Sequence, residues 1–171
     1  MENSVVDRIA GVDPGDPIDE SIDRFESDGA MLAGLVRSIP PERIAEHAPF
    51  DGMCALEQIC HLRDLEQAGW QQRFTATLHE DNPTIHNFDG AAVSAASNYH
   101  AEDVATALTA WLQLRRQLVT LLRACDAPAF ERTATYAESG RTHTLRELLA
   151  FALGHDEDHL IRLSRLAAHF A

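Results

Sequence analysis

Two histidines four residues apart, His155 and His159 in Gly154-His155-Asp156-Glu157-Asp158-His159, are the residues whose spacing could do chemistry. On an α-helix that separation leaves them about 40° apart and one turn from each other, so both imidazoles can meet one ion. Alone, the pair is weak, because the chain has nine histidines and the spacing recurs by chance. Register adds weight. Both fall on the apolar stripe of Leu145, Leu148, Ala152, Leu163 and Leu166, which should point into a core where an uncompensated polar ring is costly. The plain alternative is a pair of core histidines hydrogen-bonded to neighbouring helices, or a solvated pair at a bundle end. A third histidine, His61 in Cys60-His61-Leu62-Arg63-Asp64-Leu65-Glu66, lies on the inward side of a separate apolar segment. Helical bundles build metal sites from side chains on facing helices. Three neutral imidazoles plus water form an open, Lewis-acidic site for one divalent transition metal ion, with zinc or nickel the expected occupant.

Two arginines share these stripes. Arg115 falls between Trp111 and Leu118, where a guanidinium must be paired or must face a polar cavity. It is read either as a structural ion pair with Glu57, Asp64 or another acid, or as a clamp for a substrate carboxylate. Arg162, beside His159, invites the second reading more weakly, since long side chains reach solvent. Glu57, Asp64, Asp156 and Asp158 flank the proposed ligands and could fix their tautomers, although most such charges are merely solvated. The spacing also approaches H-E-x-x-H, but Asp156 stands where zinc peptidases need glutamate, which disfavours a peptidase. Cys60 lies about 100° around the helix from His61 and is expected to pack as a small hydrophobe. His47, His79, His86, His100, His143 and His169 have no supporting register and are expected at the surface.

Four amphipathic segments must position these residues. Residues 1–15, with Gly11, Pro14 and Gly15, show no period and read as a loose arm; residues 16–171 read as one domain. Asp16-Pro17 predicts an N-cap and first turn, and Ile18, Ile22, Phe25, Gly29, Leu32 and Val36 form a stripe that Pro40-Pro41 ends near Ser38. A second helix is predicted over about Met53 to Leu78, with Asp51 as its cap. By a uniform 100° per residue, Leu56, Ile59, Trp70 and Phe74 fall opposite His61, an apolar face that a bundle core alone would leave wet. That pattern predicts a partner surface, most simply a homodimer. A long crossover then runs from about His79 to His100 and could cover one bundle end. The third helix is predicted from Ala101 to Ala124, and the connection Asp126 to Arg141 leaves room for an extended piece at Thr133 to Tyr136. Thr144, with Glu147 three residues on, opens the fourth helix as a capping box and it runs to about His169. The fold class is therefore all-α, a four-helix bundle with a long crossover between its second and third helices.

Composition excludes several functions. A net charge of -13 opposes binding to nucleic-acid phosphates, so none is expected as a partner. No apolar run reaches membrane-spanning length, and Met1-Glu2-Asn3-Ser4 has neither the basic head nor the apolar stretch of a secretory signal. A cytoplasmic protein with a small-molecule substrate is expected. Three cysteines, Cys54, Cys60 and Cys125, show no C-x-x-C spacing and read as reduced thiols. All fourteen basic residues are arginine, which we attribute to the codon usage of a GC-rich genome.

The segments Leu56-Glu57-Gln58-Ile59-Cys60-His61-Leu62-Arg63-Asp64, Gly140-Arg141-Thr142-His143-Thr144-Leu145-Arg146-Glu147-Leu148-Leu149 and His155-Asp156-Glu157-Asp158-His159-Leu160 resemble the DinB-like superfamily in order and spacing. The resemblance spans most of residues 16–170. It implies a four-helix bundle, frequent dimerisation and a three-histidine metal site on His61, His155 and His159. The superfamily includes metal-dependent thiol S-transferases, so it also implies a low-molecular-weight thiol as cosubstrate, with Arg115 or Arg162 holding a carboxylate. Metal-assisted hydrolysis and a non-catalytic, metal- or ligand-binding dimer are the rival readings. Members often carry a tryptophan shortly before the helix-2 motif, where this chain has Phe50 and Met53.

Overall fold

In the computed structural model, residues 15–171 are described, so the expected N-terminal arm lies outside them except for Gly15. The helices are α1 (Ile18–Ser38), α2 (Ala55–Leu65), α3 (Gln71–His79), α4 (Gly90–Ala96), α5 (Val104–Arg123) and α6 (Leu145–Phe170). A π-helical turn, Glu66–Trp70, joins α2 and α3 into one rod. Four long rods thus form the bundle, with α1 packed on α5 and α6, and α2 on α5. Among the described residues no helix is long and apolar enough to cross a membrane.

Local chemistry explains most boundaries. Thr144 caps α6 by accepting from the Glu147 N–H while the Glu147 carboxylate accepts the Thr144 N–H at 2.8 Å, the reciprocal box expected. Asp103 caps α5 through the Thr106 N–H. Two caps differ from expectation. Pro17, not Asp16, is the residue before α1, and Cys54 caps α2, its N–H given to Glu57 at 2.8 Å, while Asp51 accepts the Met53 N–H in the preceding loop.

The extended piece at Thr133–Tyr136 is a strand, β2, in a small three-stranded sheet with β1 (Thr84–Ile85) parallel and β3 (Thr142–Thr144) antiparallel to it. Because β1 belongs to the crossover and β3 leads into α6, the sheet ties the covering segment to the helix that carries the histidine pair. Arg132 reinforces that end by donating to the carbonyls of Thr77 and Glu80 at the close of α3.

The expected outward apolar face on the second rod does not exist. Leu56, Ile59, Trp70 and Phe74 are all buried by the chain itself. The π-turn inserts one extra residue per turn, so Trp70 and Phe74 sit about 100° from where uniform helical phase places them relative to His61. Leu56 and Ile59 are covered by the α1–α2 connection, whose Ile39, Ile44 and Ala48 pack in the same cluster. This face therefore lends no support to a homodimer.

The core is divided into two apolar clusters. One holds Phe25, Phe74, Leu118, Leu145 and Leu149, the other Leu32, Ile59, Trp111, Leu163 and Leu166. Between them each rod contributes polar residues: Asp28 from α1, Glu66 from the π-turn, Arg115 from α5, and Asp156 and His159 from α6, all buried. Arg115 uses all five donors. Nε and Nη2 reach Glu66, Nη1 and Nη2 reach Asp156 at 2.7 and 3.1 Å, and Nη1 also reaches the Phe25 carbonyl at 2.9 Å. Its guanidinium lies 3.7 Å from the centre of the Phe25 ring. A Cβ at Gly29 would stand 3.3 Å from Arg115 Cγ, so glycine there lets α1 and α5 approach. Burial pushes the Glu66 and Asp156 carboxyls up and Arg115 pulls them back.

Removing the cation would strand two buried carboxyl groups. Arg115→Met is expected to destabilise the fold by about 3–5 kcal/mol in urea denaturation, and adding Glu66→Met with Asp156→Leu should restore much of it. An Arg115 whose role was to bind substrate would leave the denaturation midpoint where it was.

Candidate metal centre

The three predicted histidines converge. His155 and His159 come from adjacent turns of α6 and His61 from the last half of α2, and one ring nitrogen from each lies within 4.8 Å of the others. His61 Nε2 and His155 Nε2 are 3.3 Å apart. Nitrogens at zinc-binding distance on two corners of a tetrahedron stand about 3.3 Å from each other. The ring centres are 5.3 Å apart for His61 and His155, 5.4 Å for His61 and His159, and 4.6 Å for His155 and His159.

The protonation pattern suits a cation. Burial holds all three rings below the ordinary histidine range, His155 down to about 3, with the neighbouring histidines and Arg162 adding to the effect on the α6 pair. Neutral imidazole is the ligand form. His159 Nδ1–H donates to Gln58 Oε1 at 2.9 Å, which leaves Nε2 as the bare nitrogen. The Gln58 amide nitrogen faces Asp51 Oδ2 at 3.4 Å, and Asp51 accepts from Arg162 Nε at 3.0 Å, so the amide orientation is consistent along the whole chain of contacts. Burial alone would raise the Asp51 carboxyl, but hydrogen bonds from Arg162 and the Met53 N–H outweigh it and hold it below its usual range. His155 Nδ1 is buried without a hydrogen-bond partner, so that ring's polar contact is on its Nε2 side, toward the centre. A divalent ion fits this donor set.

The crossover covers the centre, as its length and position allow. The Phe88 ring lies 5.9 Å from the His61 ring, and a Cβ at Gly90 would come within 2.7 Å of His61 Cε1. Glycine at position 90 is what lets the start of α4 rest against the imidazole. Arg73 positions this segment, donating to the His86 carbonyl at 3.1 Å from between the rings of Trp70 and Tyr136.

The remaining expectations divide. Arg115 has no donor left for a substrate carboxylate, because Glu66, Asp156 and Phe25 take them all. Arg162 spends Nε and Nη2 on Asp51 with a third of its side chain exposed, beside the centre. None of the four flanking acids makes a hydrogen bond to a ligand histidine among the described contacts. Asp156 faces Arg115, Asp64 accepts from Arg63 and Tyr99, and Glu57 lies beside His47 and His100. The outer partner is Gln58, three residues before His61 and so on the same face of α2, a register visible in the sequence. Of the six histidines expected at the surface, His143 is mostly buried against Tyr136 and Phe151.

Two substitutions test this geometry. Gln58→Met keeps the volume but frees the His159 ring, and should weaken zinc binding about 10–100-fold, read by competition with a chromophoric chelator. Gly90→Ala should weaken it in the same assay by displacing His61, with the helical circular dichroism unchanged.

Comparison with known proteins agrees with the fold. Among solved structures, the chain is similar to one described as "YfiT from Bacillus subtilis is a probable metal-dependent hydrolase with an unusual four-helix bundle topology". The TM-score is 0.81 at 21% identity, covering 93% of this chain and 90% of that one. No curated protein matches. The family model of the DinB superfamily matches residues 16–161, the whole of the bundle up to the final turns of α6. The chain belongs to the DinB superfamily.

Proposed function

We propose that this protein is a metal-dependent enzyme that activates a small nucleophile, a low-molecular-weight thiol, for transfer to a small electrophilic molecule. The observation that carries the reading is the convergence of three neutral imidazoles within 4.8 Å, a cluster that among the described residues contains no fourth protein donor. Closed structural sites have four protein ligands, whereas three leave a position for substrate or water. A divalent ion bound there would lower the pKa of a coordinated thiol or water and supply a nucleophile at neutral pH.

The chain's own residues do the rest. His155 and His159 are held at a set separation by α6. Gln58 fixes the His159 tautomer, and Asp51 fixes Gln58 and Arg162 together. Arg162, partly exposed, is the cation placed to receive a substrate carboxylate. Phe88 and Gly90 shield the His61 side from water. A peptidase-like base is absent from this arrangement, since the Asp156 carboxylate is turned to Arg115.

Hydrolysis is the second reading, favoured by the description of YfiT as a probable metal-dependent hydrolase. It uses the same centre with water in place of the thiol. One assay separates the readings. Metal-loaded protein is mixed with a panel of thiols and a generic electrophile, and in parallel with an activated ester and no thiol. Thiol consumption that falls to background with chelator, and in His159→Ala, is the expected result. Ester cleavage with the same dependence and no thiol turnover would favour hydrolysis. Rates unchanged by chelator in both would leave a non-catalytic metal-binding bundle.

A further inference from the structure

A second group of metal-ligating side chains lies at the N-terminus of α2, away from the three-histidine centre. His47 comes from the α1–α2 connection, Cys54 and Glu57 from the first turn of α2, and His100 from the 3-10 turn Tyr99–Ala101 that ends the crossover. One ligand atom from each lies within 4.8 Å of the others. The two imidazoles approach different oxygens of one carboxylate: His47 Nε2 is 3.3 Å from Glu57 Oε2 and His100 Nε2 is 3.2 Å from Glu57 Oε1. With one ligand atom from each of the four side chains inside that span, a single ion can be reached by all of them.

We infer that His47, Cys54, Glu57 and His100 form a second, structural site for a divalent transition metal, zinc by its ligand set. Two imidazoles, a carboxylate and a sulfur make four protein donors, so this site is closed where the first is open. The imidazoles are about half exposed and give an ion access from solvent, while Cys54 closes the site from the buried side. The ligands belong to three separate segments. An ion here would fasten the far end of the crossover, whose Phe88 and Gly90 cover His61, to the helix that carries His61.

The site differs from the three-histidine centre in having sulfur, and cobalt(II) reports that difference. Added to the metal-free protein, cobalt(II) should give a thiolate-to-cobalt charge-transfer band in the near ultraviolet that saturates by two equivalents, the two centres sharing the added metal. The band should vanish in His47→Asn/His100→Asn, whose side chains are too exposed to unfold the bundle, and in Cys54→Ser, where serine retains the helix cap. It should persist in His155→Asn/His159→Asn, so failure of the first centre would not be mistaken for failure of the second. No such band in the wild-type protein, or a band that survives either of the first two substitution sets, would overturn the inference.

Discussion

One buried cation organises this molecule. Arg115 sits where the two halves of the apolar core meet, and its five donors join α5 to the π-turn, to α6 and to the backbone of α1. Replacing such a group with apolar side chains is often neutral for stability, so the arginine is not best understood as a stabiliser. Its demand is geometric. Two carboxylates from different helices must meet one planar guanidinium, and a helix that slid or rotated would leave a charge buried without its partner. Asp156 is the residue after His155, so the pairing that satisfies Arg115 also sets the rotation of α6 about its axis. The histidine pair therefore projects from a helix whose orientation is fixed at an adjacent face.

The π-turn is the complementary device on the opposite rod. It brings Glu66 to Arg115, and it rotates Trp70 and Phe74 into the core below the metal centre. His61 stands upstream of it, in regular α-helix, with Gln58 on the same face. Thus the rod presents one candidate ligand and the hydrogen-bond partner of another above the bulge, one acid at it, and an apolar face below it. A regular helix of the same sequence could not direct all three inward, because the required phases differ by about the 100° that one extra residue supplies.

This explains what could be read from the sequence. The histidine pair was legible because four-residue spacing and the Leu148, Ala152, Leu163, Leu166 stripe agree without any tertiary knowledge, and the α6 cap was legible because Thr144 and Glu147 interact locally. That Arg115 needed buried acids was also legible, but which acids was not, since Glu66 reaches it only through the π-turn. The same irregularity made half of the second rod's core face read as an exposed dimer surface. The other half, Leu56 and Ile59, is covered by a connection whose packing no periodicity reports. His47 and His100 showed no register because they lie in a loop and a 3-10 turn, and their approach to Glu57 depends on where the crossover ends. Gln58 could have been found, as an amide three residues ahead of a ligand on the same helical face.

The two halves of the centre thus rest on different supports. His155 and His159 are held by α6, and α6 is held by Arg115 and its acids, so their separation should vary little whatever binds nearby. His61 is held from outside, by the Phe88 ring and by a backbone approach that only glycine permits at position 90. The covering segment reaches it from β1, whose two residues pair with β2, and has no buried residue in α4. Segments with few buried apolar contacts open at lower free energy than the core that carries them. Ligand geometry is therefore rigid on the α6 side and adjustable on the crossover side. The bundle fixes the histidine pair, and the crossover fixes how closely His61 can approach it.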